Sequence, residues 1–313
     1  MGGTDARVYK HYRFVNERAA GTISLQTPAK LNLGLEIRGR RADGFHEIAT
    51  ILQAITIFDR VTLTDAAGIS VTCDEPGLAT SDNLAVRAVE RLRARIYEPR
   101  GARIQLEKAI PVAAGLGGAS SDAAAALLAA RALWRTQTSD ALLLEIGAAI
   151  GSDVPFFLRG GTALATGRGE KLAPLPAPSG HWFVIVAPHL VIRRKTATLY
   201  RALGPADFSD GAAVQAQAGR LRRQQPIDRS LLVNPFTRPL TEIAPELVAI
   251  ASLMHELGAP DVALSGAGPS HYTVLTDSEQ AMTLANRLKD ALSGKASVIL
   301  AEPVVKPASL VAT

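Results

Sequence analysis

The run Pro111-Val112-Ala113-Ala114-Gly115-Leu116-Gly117-Gly118-Ala119-Ser120-Ser121 carries the sharpest chemical signal in the chain. Glycine has no Cβ, so Gly115, Gly117 and Gly118 can turn successive backbone amides toward one point. Such a nest of N–H groups binds anions. An alanine- and leucine-rich stretch follows from Ser121-Asp122 to about Trp134. A helix beginning there adds free N–H groups and the positive end of its dipole. Ser120 and Ser121 offer hydroxyl donors or a magnesium ligand. Together these features suit phosphate binding. The run is not a Walker A loop, because Gly-Lys-Ser/Thr is missing from it. The same residues would also serve a tight strand-to-helix turn that packs a small-residue helix against a sheet.

Three other residues have side chains able to act on a phosphate. Lys30 and Asn32 lie two apart in Ala29–Ile37. Leu31, Leu33, Leu35 and Ile37 alternate there with Lys30, Asn32, Gly34 and Glu36, so the segment is a half-buried strand with Lys30 and Asn32 pointing the same way. Taken alone, the lysine reads as a solvated edge charge. Asp153 sits in Gly151-Ser152-Asp153-Val154-Pro155, ahead of an apolar run. Taken alone, it reads as a turn or capping aspartate.

The elements that must position these groups follow from hydrophobic period and breaker residues. Strands are expected over 48–58, 60–64, 69–73 and 103–108, and again near 156–158, 162–166 and 182–187. Helices are expected from Ser81-Asp82-Asn83 to about Tyr97, from Ser121 to about Trp134, and from Asp140 to Ile150. Pro174-Leu175-Pro176-Ala177-Pro178 marks a boundary. Beyond it, a weak helical pattern over 204–227 precedes a helix at 241–257, a strand at 262–264, the turn Gly266–Pro269, a strand at 272–275, a helix at 278–292 and a strand at 297–300. Runs of strands with helices gathered to one side give the α+β class. The division expected is an N-terminal extension over 1–26, one domain over 27–180 and a second over 181–313.

Composition narrows the function. The chain has 313 residues, 47% of them apolar, which is ample for two ordinary cores. No uninterrupted apolar run is long enough to span a membrane. The basic segment before Thr27 lacks the apolar stretch of a secretory signal. Cys73 is the single cysteine, so an intramolecular disulfide and a cysteine-built metal site are excluded. A cytoplasmic location is the expectation. The net charge of +5 suits an anionic substrate as well as it suits ordinary surface charge. Aromatics make up 5% and are not interleaved with basic residues, so no nucleic-acid platform is indicated.

Five segments occur in a telling order: Pro28-Ala29-Lys30-Leu31-Asn32-Leu33, Gly39–His46, Pro111–Ser121, Gly151–Pro155 and Leu264-Ser265-Gly266-Ala267-Gly268-Pro269. This order resembles the GHMP kinase superfamily. Within it, the first two segments resemble the 4-diphosphocytidyl-2-C-methyl-D-erythritol kinase family of the non-mevalonate isoprenoid route. The likeness runs from about Thr27 to Leu275.

The resemblance implies a two-domain fold, with a ribosomal protein S5 domain 2-like N-terminal domain and a ferredoxin-like C-terminal domain. It implies transfer of the γ-phosphoryl group of ATP, with Mg2+, to the 2-hydroxyl of the cytidine diphosphate substrate. Lys30 and Asp153 match the catalytic pair, and Asn32 a polar neighbour. His46 matches a residue that reads the cytosine, and Phe45 falls where an aromatic stacks on that base. Residues 111–121 match the ATP loop, and Lys108 a basic residue near the nucleotide. The partners implied are small molecules, not nucleic acid or membrane, with the chain a monomer or homodimer. Asp122 departs from the pattern, since asparagine is usual there and a carboxylate would repel phosphate unless it turned away. The basic stretch Arg193-Arg194-Lys195-Thr196 would meet a diphosphate or lie on the surface. Other readings are a mevalonate- or homoserine-type kinase, and a non-catalytic binding protein that keeps the fold.

Overall fold

The computed structural model describes residues 21–304, apart from 191, 193 and 194. Two long antiparallel strands, β1 (Thr22–Arg40) and β2 (His46–Ala66), form the spine of a first sheet. The sheet is completed by β3 (Ile69–Cys73), β4 (Gly101–Glu107), β5 (Thr162–Gly167) and β6 (Lys171–Leu175), in the order β3-β4-β2-β5-β6, with β1 also paired to β2. The β1–β2 register shifts between Pro28 and Ala29 and again between Asn32 and Leu35. Such bulges bend a strand and re-aim its side chains. Lys30 and Asn32 lie between the two.

Helices α1 (Leu84–Arg95), α2 (Gly118–Leu133), α3 (Asp140–Ile150) and α4 (Val154–Arg159) pack on one face of this sheet. Asn83 caps α1 by accepting from Ala85 N, and Ser139 caps α3 by accepting from Leu142 N. Along α2 the small residues Ala123 to Ala126, Ala129 and Ala130 are fully buried, which lets the helix lie close to the sheet and to its neighbours.

A second sheet runs β10-β7-β9-β8, from β7 (Trp182–Pro188), β8 (Ala263–Leu264), β9 (His271–Leu275) and β10 (Ala296–Ala301). With it come α5 (Lys195–Ala202), α6 (Ala212–Arg222), α7 (Thr237–Ile243), α8 (Glu246–Glu256) and α9 (Ser278–Leu292). One face of the sheet packs on α8 and α9. The other shares a core with the first sheet, where Leu31, Leu33, Ile51 and Ile55 meet Phe183, Ile185 and Tyr272. The Tyr272 hydroxyl, fully buried, donates to the Asn32 carbonyl at 2.6 Å.

Several elements depart from the sequence expectations. β1 is buried on both faces: Lys30, Asn32 and Glu36 are as enclosed as the leucines between them. Glu36 survives burial by accepting from Ser209 Oγ and Val214 N, each at 2.8 Å. β1 begins at Thr22, inside the segment expected to be an extension, and pairs there with Thr64. The two strands expected over 48–64 are one. Pro174 lies within β6.

Residues 156–158 form helix, not strand. Pro155 sits in the first turn of α4, where its missing N–H is harmless, and the apolar run fills the core beneath α2. The helix expected over 241–257 breaks at Pro245, because the residue before proline is driven out of the helical region; Ala244 has φ −145°.

Candidate active site

Four successive carbonyls of the glycine loop are each held by an outside donor. Ala113 O accepts from Lys195 Nζ at 2.6 Å, and Ala114 O from Ser270 N at 3.2 Å. Gly115 O accepts from Ser265 Oγ at 3.1 Å, and Leu116 O from Lys30 N at 2.9 Å. A planar trans peptide points its C=O and N–H in opposite directions. Anchoring each carbonyl therefore turns the next amide away from its anchor. α2 then begins at Gly118, three residues ahead of the expected start, and no side chain caps it at Gly117. Its first-turn amides have no intrahelical partner. Nucleotide phosphates suit this cradle, since they are anions that accept from such amides.

Lys30 runs directly beneath the cradle. Gly117 has φ +80°, and a Cβ there would lie 2.8 Å from the Phe157 ring and 3.0 Å from Lys30 Cγ. On the opposite side, a Cβ on Gly266 would lie 3.0 Å from Lys30 Nζ and 3.2 Å from Asn32 Oδ1. The lysine is thus threaded between the glycine loop and the Ser265–Pro269 turn. Its ammonium donates to Asn32 Oδ1 at 2.6 Å, and Asp153 Oδ2 stands 3.9 Å away. Asn32 Nδ2 donates to Thr50 Oγ1 at 2.9 Å, and Thr50 Oγ1 donates to Gly34 O at 2.7 Å. That relay fixes which end of the Asn32 amide faces the lysine. Burial holds the Lys30 pKa below the usual lysine range, and the Asp153 carboxylate offsets part of the shift. The Asp153 side chain is 34% exposed, at the junction of α3 and α4.

Two sequence expectations need correction. The Ser121 hydroxyl does not face the cradle. It is fully buried, donating to Pro28 O at 2.6 Å and lying 2.5 Å from Thr27 Oγ1, so it pins α2 to β1. Lys108 does not present a free ammonium to a nucleotide. Its side chain is 4% exposed, and Nζ is engaged by Asp59 Oδ2 and by Asp122 Oδ2, the latter at 2.5 Å. Asp59 Oδ1 also accepts from Ala109 N at 2.7 Å and Ile110 N at 2.8 Å. The carboxylate of Asp122 is thus turned onto Lys108, whose Nζ lies 3.3 Å from where a Cβ on Gly118 would stand. Burial lowers the Lys108 pKa, but the two carboxylates more than restore it, leaving it above the usual range. With one cation shared by two acids, burial and the neighbouring Asp59 push the Asp122 carboxyl up to about 7 against the pull of Lys108.

Phe45 ends the loop before β2, and His46 opens that strand. Phe45 is 52% exposed, with the Arg168 guanidinium 4.6 Å from its ring centroid. The His46 ring lies 5.0 Å from Tyr200 and 6.1 Å from Phe208. Burial and the charge of Arg40 lower its pKa. Burial and the Asp153 carboxylate push the Tyr200 phenol up to about 12. Tyr200 thus links the surroundings of His46 to those of Asp153. Arg193 and Arg194 lie outside the described residues, whereas Lys195 is buried and bound to the glycine loop.

Comparison with known proteins agrees with this geometry. Residues 83–161 match the GHMP kinases N terminal domain. The 4-diphosphocytidyl-2-C-methyl-D-erythritol kinase of Dehalococcoides mccartyi strain BAV1 is 38% identical over 267 residues, 85% of this chain and 94% of that protein. The enzyme of the same name from Pelotomaculum thermopropionicum is 40% identical over 272 residues, with the same coverage. A solved 4-(cytidine 5'-diphospho)-2C-methyl-D-erythritol kinase superposes with a TM-score of 0.74 at 34% identity, covering 89% of this chain and 98% of that one. This chain belongs to the 4-diphosphocytidyl-2-C-methyl-D-erythritol kinase family of GHMP kinases. Mevalonate kinase from L. major shares the fold, with a TM-score of 0.69 at 16% identity.

The kinase draws on residues that sequence reasoning did not single out. Thr50, Tyr200 and Ser270 come from three separate segments and meet Asn32, His46 or the glycine loop only after folding. Asn234 belongs with them: its Nδ2 donates to Leu264 O and Gly266 O, both at 2.9 Å, and so holds the turn that roofs Lys30. The one local signal was Asn234 itself, a polar residue flanked by Val233 and Pro235.

Proposed function

We propose that the chain transfers the γ-phosphoryl group of ATP to the 2-hydroxyl of 4-diphosphocytidyl-2-C-methyl-D-erythritol, a step of non-mevalonate isoprenoid precursor synthesis. The observation that carries this reading is the position of Lys30. Its stem lies against Gly117 at the cradle, and its ammonium faces Asp153. A donor phosphate and an acceptor hydroxyl therefore converge on one buried cation.

Phosphoryl transfer passes through a loose transition state, so positioning and charge stabilisation dominate. The amides of 114–120 hold the phosphates. Lys30 donates one hydrogen bond to Asn32 and directs its remaining N–H groups to the transferring group. Asp153 orients the acceptor hydroxyl. That oxygen bonds to the γ-phosphorus, the bond to the bridging oxygen breaks, ADP leaves, and the hydroxyl proton passes to Asp153. Phe45 stacks on the cytosine and His46 reads its edge. In this reading residues 27–180 carry the ATP site and 181–313 roof it.

Among the described residues, no group of three or more His, Cys, Asp or Glu side chains could hold a metal ion. A magnesium ion accompanying ATP would take its ligands chiefly from phosphates and water, the habit of this hard, strongly hydrated cation, and Ser120 is the hydroxyl left free to join them. No described helix is long and apolar enough to cross a membrane. A cytoplasmic location is part of the proposal.

An ADP-release assay decides it. Release should depend on 4-diphosphocytidyl-2-C-methyl-D-erythritol and stay at background with mevalonate or homoserine. Turnover of either of those alone would replace this reading with another GHMP activity. Background release with all three would leave a binding protein.

A further inference from the structure

Lys195 opens α5, far in sequence from the glycine loop, yet its ammonium donates to the carbonyls of both Ala113 and Gly268. These carbonyls belong to the two turns that enclose the cradle and Lys30. Ala113 has φ +56°, a left-handed conformation that non-glycine residues adopt only when the surroundings hold them there. Of the four loop carbonyls anchored from outside, 114, 115 and 116 are held by neutral donors: two backbone amides and a serine hydroxyl. Only Ala113 is held by a cation.

That cation is buried, with 9% of the residue exposed. Its partners are carbonyls, and no ion pair to it is found among the described residues. The titratable group that bears on it is Lys30 of β1, which repels it. Lys30 in turn faces Asp153, and Tyr200 on α5 also lies within reach of the Asp153 field. The carboxylate that offsets Lys30 is thus partly exposed, and none is paired with Lys195 among the described residues. Such a site lacks negative charge, and an anion entering the cradle supplies it.

We propose that Lys195 is a positioning residue for the phosphate donor: its ammonium locks the Ala113 carbonyl to that of Gly268, aims the loop amides at the phosphates, and does so only while charged. This rests on the kinase reading above, since the ligand is a nucleotide phosphate, and it adds linkage between nucleotide binding and protonation of the lysine. Burial, and then Lys30, lower the Lys195 pKa to about 8. Near that pH a fraction of the unliganded protein carries a neutral amine, which must take up a proton for the clamp to close on phosphate.

The test is calorimetric titration of the intact protein with ADP at pH 8, in buffers of different ionisation enthalpy. ADP is chosen because its own phosphates do not titrate there. Wild type should take up a fraction of a proton, about half at most. Lys195→Arg, always charged, should bind within about threefold of wild type with no uptake. Lys195→Met should bind at least about tenfold more weakly, also with no uptake. Uptake that persists undiminished in Lys195→Arg belongs to another group, Lys30 or Asp122, and overturns the proposal, as does wild-type affinity in Lys195→Met. If Lys195→Met fails to fold, the comparison of wild type with Lys195→Arg still decides.

Failure of the two readings is separable. Normal ADP binding with proton uptake, but no phosphorylation of the cytidine substrate, removes the proposed function and leaves the clamp. Phosphorylation together with an unchanged Lys195→Met affinity does the reverse.

Discussion

Lys30 Nζ and Asp153 Oδ2 face each other across 3.9 Å, one from a strand of the first sheet and one from the start of a short helix. The gap is wider than a hydrogen bond and narrow enough for strong mutual attraction in a site of reduced dielectric. A hydroxyl oxygen and a phosphoryl oxygen can both be served from it. The pair stands beside the cradle without being part of it.

Asp153→Asn should therefore spare ATP binding and cripple transfer. Loss of the proton acceptor is expected to lower kcat by about 10²- to 10⁴-fold. The affinity for ATP should move by less than about threefold. Steady-state kinetics combined with calorimetry separates the two, and unchanged turnover would remove Asp153 from the base role.

Phe45 and His46 should act on the acceptor. Phe45→Ala and His46→Ala are each expected to raise KM for the cytidine substrate about three- to tenfold, the scale of one lost stacking or hydrogen-bonding contact. KM for ATP should not change. A His46→Ala enzyme with wild-type KM for the cytidine substrate would show that the base is read elsewhere.

Gly117→Ala should damage both stability and nucleotide affinity. A left-handed backbone costs a non-glycine residue about 1–2 kcal/mol, and the new methyl would sit 2.8 Å from the Phe157 ring. A useful control is Gly294→Ala, where φ is +78° but nothing lies within 4 Å of the added Cβ. Melting temperature should fall in both variants. ATP affinity should fall, by about tenfold or more, only in Gly117→Ala.

The Lys108–Asp59–Asp122 triad gives a prediction in pH. Asp122 is held up to about 7 in the folded chain, above its ordinary value of 3.8. Between those values the folded protein binds the proton more tightly than the unfolded chain does. The stability that Asp122 contributes is thus complete below about pH 4 and lost as pH rises through 7. Asp122→Asn should flatten that slope, gaining melting temperature relative to wild type at pH 8 compared with pH 5. Parallel melting curves for the two proteins across that range would show that Asp122 does not titrate there.

Much of this site was legible in the sequence, and the reasons are local. The glycine loop, the Lys30–Asn32 spacing and the Gly151–Pro155 breaker are set within a few residues of chain, where period and turn chemistry speak directly. Lys30 and Asn32 do share a face, as period two requires. What could not be read was the covering of that face. Alternation of leucine with polar residues normally means one wet side, yet here the second sheet takes the leucine side while the glycine loop and the Ser265–Pro269 turn close over the polar one. Lys108 and Ser121 were misread for the same reason: a polar side chain next to a phosphate loop looks like a ligand until its buried partner, supplied by residue 59 or 28, comes into view. Phe156-Phe157-Leu158 has too few residues for periodicity to separate strand from helix.

The bond from Tyr272 to the Asn32 carbonyl, and the core that surrounds it, have a mechanical consequence. β9 is tied to the strand that carries Lys30, so swinging the two halves apart on a hinge would break that bond and expose the shared core. Entry past the exposed Phe45 and the exposed Val112 of the glycine loop costs neither. A substitution deep in the second sheet, at a position no ligand approaches, would then be felt as a shift in the aim of Lys30.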